Sequence, residues 1–285
     1  MNTQGKNKKY DLTFKAVETL KTQKLKHYKE YELSYNVLLI ESAILSGKSE
    51  IDKLINPFLK PENIDQLFDV IDMMMYYGHT RLVNAMKLVL PEVRSSGEVL
   101  PHGIAEFEET LAWLILLNYQ DPHKIAEELK VCRRVNLADA KEFVRLLSGE
   151  RRKWEKKDFY KSDEVGENFF LLSLEFVSNQ KLRSRAARGM QQMMNYLFSR
   201  DHWRETKKNE TLLKLRKKSF EEYLESYFHP FFPPPAYRIA CFLEVVPYYI
   251  EFVKEKGLVS DREYKRMLSL VPLVNEYWEI LKRYL

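Results

Sequence analysis

Between Lys181 and Lys218 the chain carries twelve basic and three acidic side chains, the densest concentration of one charge in the sequence. Placed on a helix, Lys181, Arg185, Arg188 and Gln192 share one face, and Leu182, Ala186, Met193 and Leu197 lie opposite. Lys207, Lys208, Lys214, Lys217 and Lys218 continue the charge, with Trp203 between the two groups. Rows of cations around an aromatic ring suit a nucleic-acid backbone, where charge supplies affinity and stacking adds to it. Arg185 and Arg188 have the fork geometry for bidentate phosphate contacts. The plainer reading of the same residues is a solvated charged surface, partly neutralised by the acidic residues of 31–130.

Other residue types give little chemistry. SerGlyLysSer at 46–49 has no glycine four residues before its GlyLys, so it is read as a helix end followed by a helix start, not as a phosphate loop. Neither GxGxxG, GxSxG nor HExxH occurs. The pairs His102/Glu106 and His123/Glu127 stand alone, whereas a metal on helices needs several inward ligands. Asp65, Asp69 and Asp72 read as a solvent-facing stripe, and Met73 to Tyr77 as adaptable core. Ser178 and Lys181 match SxxK by spacing alone. No catalytic residue, metal ligand or cofactor is expected on these grounds.

Ile125 to Val135 resembles the core of a helix-turn-helix, with Ala126 on the first helix, Lys130 and Val131 at the turn, and Arg133 and Arg134 opening the second. The resemblance implies a recognition helix that reads DNA with its basic start. The sequence departs from that pattern at Lys130, where glycine normally makes the turn, and at Asn136, which suits an N-cap better than a core position. Two ordinary packed helices are the alternative.

The elements that must position these residues read as helices throughout. Apolar residues recur at helical spacing over 10–25, 28–46, 63–77, 79–90, 104–119, 122–131, 136–154, 163–177, 181–198, 207–227 and 239–256. Pro91 is expected to stop one of these and Pro247 to kink another. Ser49 with Asp52 and Ser260 with Glu263 read as capping boxes. Leu111 to Leu117 is apolar all round, so it is predicted to be enclosed by other helices. Pro230 and the run Pro233 to Pro235 make 228–237 a rigid elbow. The final helix places Tyr264, Met267, Val271, Val274, Trp278, Leu281 and Leu285 on a heptad seam, interrupted by Pro272.

With 285 residues, 45% hydrophobic and 13% aromatic, but only nine glycines and eleven prolines, the chain has material for a large core and little turn punctuation. The expected fold is all-α, an irregular multi-helix bundle or solenoid-like array of roughly a dozen helices without a sheet. A basic disordered tail at 1–9 precedes helical lobes at 10–157 and 158–285, which could also be one continuous domain. The net charge of +5 hides its distribution: +5 over 1–30, −8 over 31–130 and +9 over 181–218. Two distant cysteines, no apolar leader and no long uncharged run point to a cytoplasmic protein without a transmembrane segment. The expected function is a non-enzymatic scaffold that binds a protein partner. The alternative is a nucleic-acid-binding accessory protein, for RNA or DNA, using 181–218 and the Lys-rich N-terminus. A homodimer through 260–285 is a less favoured reading.

Overall fold

The computed structural model describes residues 3–23, 31–47, 51–97, 99–132, 137–162, 164–207, 210–228 and 235–285. Among these every regular element is a helix and no strand occurs. The chain divides into two compact units, 1–111 and 112–285.

The first unit contains α1 (Thr3–Thr22), α2 (Glu32–Leu45), α3 (Ile51–Ile55), α4 (Ile64–Tyr76), α5 (Val83–Ser95) and the start of α6 (Pro101–Asn118). Helix α1 begins inside the stretch expected as a tail. Gln4 and the lysines at 6, 8 and 9 are adequate helix formers, so the periodic segment from Tyr10 extends backwards through them. Gly47 and Gly78 follow α2 and α4 at φ of +67° and +86°, the left-handed geometry that ends a helix. The core is built from α2 (Leu39, Ile40, Ala43) and α4 (Leu67, Phe68, Ile71, Met73 to Met75), with Phe68 edge-on to Phe107 at 6.0 Å. Two expectations fail here. Asp72 is buried while Asp65 and Asp69 are exposed: all three share one face, but the helix is enclosed on every side from Val70 to Met75, so the stripe reaches water only at its start. Pro91 lies inside α5 and does not end it. The Ser49 cap and the lysine of SerGlyLysSer fall at 48–50, outside the described residues.

The second unit holds the rest of α6, then α7 (Pro122–Glu128), α8 (Leu137–Leu147), α9 (Val165–Ser178), α10 (Arg183–Leu197), α11 (Arg200–Glu205), α12 (Lys217–Glu225), α13 (Ala236–Glu255), α14 (Asp261–Leu268) and α15 (Val271–Leu281). The boundary falls within α6 and not at 157/158. Ala112 to Leu116 are buried and Trp113 packs on Phe170 at 5.5 Å, while the stretch around 154–159, where the two expected lobes would part, is a packed turn. In that turn Trp154 and Phe159 are buried with ring centroids 5.3 Å apart, and Glu155 with Asp158 forms a capping box.

Helices α10 and α13 form the tightest crossing. A Cβ on Gly189 would lie 2.5 and 2.8 Å from the two Val245 methyls and against the Cys241 carbonyl, so only glycine permits the approach. Around the crossing Tyr196, Phe220, Tyr223 and Phe242 make edge-on and tilted ring contacts at 5.4 to 6.4 Å.

Three long helices expected from periodicity are interrupted. The helix expected over 136–154 stops at Leu147, where Gly149 takes φ of +98° and Arg151 donates to the Leu146 and Glu150 carbonyls. Lys207 and residues 210–216 are not helical: Leu212, Leu213 and Leu215 are buried from an irregular strap at 210–216, which donates to the Phe159 carbonyl and accepts from the Tyr249 hydroxyl. Tertiary partners there outcompete helix propensity. The last helix breaks between Leu268 and Val271, because Pro272 has no N–H to continue the ladder. Its seam splits accordingly: Met267, Val274 and Leu281 are buried, whereas Tyr264, Val271 and Trp278 are half-exposed and Leu285 is exposed. The Ser260/Glu263 capping box is present, with the Ser260 N–H donating to Glu263 at 2.7 Å. Pro247 sits within an uninterrupted α13. Most of the proline elbow, 229–234, lies outside the described residues.

Candidate interaction cleft

The eight cations and the tryptophan ring singled out by sequence do not form one surface. Lys181 is exposed at the entrance to α10. Arg185 is half-buried and donates to both carboxylate oxygens of Glu244, at 3.0 and 3.3 Å. Arg188 is fully buried and donates to Gln191 at 2.5 Å, and Gln192 is buried beside it. The face expected to meet phosphate therefore turns inward after its first turn, because Gly189 brings α13 against it. Trp203 is half-buried; Lys161 lies over its ring at 5.0 Å and donates to the carbonyls of Trp203 and Thr206, which ends α11. Lys214 is 15% exposed and paired with Glu263 and Glu210. Lys217 and Lys218 are exposed, each paired four residues on with Glu221 and Glu222. Lys207 is exposed, and Lys208 lies outside the described residues. So do Arg133, Arg134 and Asn136 of the helix-turn-helix resemblance, whose turn is a 3-10 segment at Leu129–Val131.

What α10 and α13 do form is a cleft. The turn from α9 into α10 and one face of α13 enclose about 470 Å³, lined by Lys181, Leu182, Arg185, Glu244 and Tyr248 among others. A second hollow of about 400 Å³ shares Asn179, Gln180 and Tyr248 with the first and continues along α13 past Glu251, Phe252 and Glu255 to Lys256. Tyr248 and Leu182 stand at the rim, 59% and 48% exposed. Glu244, Tyr248, Glu251 and Glu255 follow one another at steps of four, three and four, one stripe on an otherwise buried helix. The sequence carried that signal in Glu244 and Glu251, but nothing in it showed that Leu182 and Tyr248 stay uncovered.

Beneath the second hollow lies a fixed charge. The Glu175 carboxylate is fully buried; it accepts the Trp154 indole N–H at 2.8 Å and pairs with Lys256, with the Arg151 guanidinium at 4.0 Å. Arg151 also donates to the Asn179 side chain, and Asn179 donates to the Glu175 carbonyl. The floor of the cleft is thereby rigid, since each polar group is held by at least one neighbour of opposite character.

A separate buried network joins α10, α11 and the strap. His202 Nε2 donates to the Leu212 carbonyl at 3.0 Å, and its Nδ1 faces the Ser219 hydroxyl, which also contacts Tyr196. Burial pushes the His202 imidazole down to about 4, only partly offset by the Leu212 bond, and pushes the Tyr196 phenol up to about 12. No solvent path is needed for either group to serve as structure, and none of the clefts described above includes them. An acid-labile second unit follows. Between about pH 6.5 and 4 the unfolded chain binds a proton at His202 that the folded chain refuses, so stability falls as pH falls, by about 3 kcal/mol in all. Denaturant titrations across this range should show the decline, and His202→Gln should flatten it. Glu263 extends the acid sensitivity lower: burial raises its pKa, but the bonds from Lys214 and Ser260 prevail and hold it at about 2. Its contribution, present above about pH 4.5, is lost as pH falls towards 2.

Fold and cleft together define an all-α, multi-helix protein with a surface cleft on a rigid floor. Among the described residues no cluster of three or more His, Cys, Asp or Glu side chains could hold a metal, and no helix is long and apolar enough to cross a membrane. No protein family, curated protein or solved structure matches the chain.

Proposed function

We propose that the chain is a helical interaction protein that holds a protein partner in the α10/α13 cleft. One observation carries the reading: Leu182 and Tyr248, two large apolar side chains, stand exposed over a cleft whose floor is fixed by the Glu175 network. Tyrosine at the mouth of a preformed pocket, ringed by charges, is the composition of a binding anchor with a polar rim. The nucleic-acid alternative draws less support, because Arg185, Lys214, Lys217 and Lys218 meet carboxylates and Arg188 is buried. Charge already neutralised within the chain releases fewer counterions from a phosphate backbone.

The reading is tested by placing photo-reactive benzoylphenylalanine at Tyr248 and irradiating cells that express the protein. A discrete protein adduct is expected at this position and not at Leu88, an exposed leucine of the first unit. Absence of a protein adduct, or a nucleic-acid adduct in its place, overturns it.

A further inference from the structure

The stripe on α13 also specifies what could lie along it. Its steps of four, three and four are those by which one helix meets another at a shallow angle. From Glu244 to Glu255 it spans roughly 17 Å, about three helical turns at 1.5 Å per residue. The two hollows share Asn179, Gln180 and Tyr248 in their walls and lie in succession along that stripe.

The cleft is electrically polarised. At one end Lys181 is exposed beside the Arg185–Glu244 pair, which cancels itself. At the other end stand Glu251 and Glu255, both exposed; Glu251 accepts the Tyr264 hydroxyl at 2.7 Å, a contact that brings no cation to it. The nearby Lys256 is committed to Glu175 and Lys254 to Asp261, and the exposed Arg151 of the same hollow, 4.0 Å from Glu175, offsets only one of the two carboxylates. Among the described residues neither Lys181 nor Glu255 has an ion-pair partner. Net positive charge thus marks one end and net negative charge the other, with apolar Leu182 and Tyr248 between them.

Building on the proposed partner-binding role, we infer that the occupant is an amphipathic helix of about three turns. Its apolar stripe lies over Leu182 and Tyr248, an acidic residue meets Lys181, and one or two Lys or Arg side chains meet Glu251 and Glu255. A helix fits better than an extended strand because α13 presents side chains at helical spacing and no unpaired backbone edge. Complementary ends fix the direction in which the helix lies, since the reversed orientation sets like charges against each other.

The test starts from the segment captured at position 248, synthesised as a peptide and titrated against the full-length chain. It is expected to gain helicity on binding. Lys181→Glu and the double variant Glu251→Lys/Glu255→Lys should each weaken binding by at least about tenfold, the scale of one like-charge juxtaposition. Reversing the opposed charges in the peptide should restore it. These side chains are exposed, so unchanged melting of each variant verifies that the fold is intact. A peptide that binds without helix, or with affinity indifferent to both reversals, overturns the inference and leaves the partner-binding reading standing. A captured segment from a second copy of this chain does the same. No protein adduct at position 248 overturns both.

Discussion

Gly189→Ala is expected to destabilise the second unit by about 3 kcal/mol, although alanine is the better helix former by about 1 kcal/mol. The added methyl would meet the Val245 side chain at 2.5 Å and the Cys241 carbonyl, and the carbonyl belongs to the backbone of a buried helix. Neither obstacle can swing aside: valine has one preferred rotamer on a helix, and moving the carbonyl moves all of α13. The opposite sign is expected at Gly166, in the first turn of α9, where a Cβ would meet nothing within 4 Å and alanine should stabilise by a few tenths to 1 kcal/mol. All four tryptophans, at 113, 154, 203 and 278, belong to the second unit, so their fluorescence during denaturant unfolding follows that unit. For a unit of this size the Gly189 variant should melt roughly 6–12 °C lower. Equal behaviour of the two alanine variants would remove the tight crossing from the account.

Lys256→Met should cost about 3 kcal/mol, more than Glu175→Gln. The asymmetry follows from burial: Glu175 is fully enclosed, while the Lys256 side chain is 19% exposed. Removing the lysine strands a carboxylate that keeps only the Trp154 N–H and a guanidinium 4.0 Å away. Removing the carboxylate leaves an ammonium that can turn to water, as lysines at a surface do. Glu175→Gln combined with Lys256→Met should therefore be more stable than Lys256→Met alone, a non-additivity diagnostic of one shared pair. Trp154 reports locally, because its indole loses or keeps its acceptor in step with Glu175. Additive effects of the two substitutions would show that the lysine and carboxylate act independently.

The two substitutions also bear on the cleft, which stands on both features. Gly189 lets α10 approach α13, and the Glu175 network fixes the turn that carries Asn179 and Gln180 into the cleft wall. A loosened crossing or an unpaired Glu175 is expected to weaken partner binding even where Leu182, Tyr248 and the end charges are untouched.

By itself the sequence determined the helical class, most element positions and the local stops. Those depend on neighbours within one or two turns: Gly47 and Gly78 at left-handed φ, the Ser260/Glu263 capping box, and apolar residues three and four apart. It also marked the acidic stripe on α13, since Glu244 and Glu251 interrupt a run of core residues. Only the tertiary structure decided where the charge goes. Arg188 occupies a position that helical spacing alone assigns to the same exposed face as Lys181, and whether that face meets water depends on α13, some fifty residues further along the chain. The strap at 210–216 follows the same rule. Its residues suit a helix, but the Phe159 carbonyl and Tyr249 hydroxyl bind its backbone in another form. The unit boundary inside α6 and the exposed pair Leu182 and Tyr248 complete the set, because burial is a property of what covers a residue and not of the residue's own type.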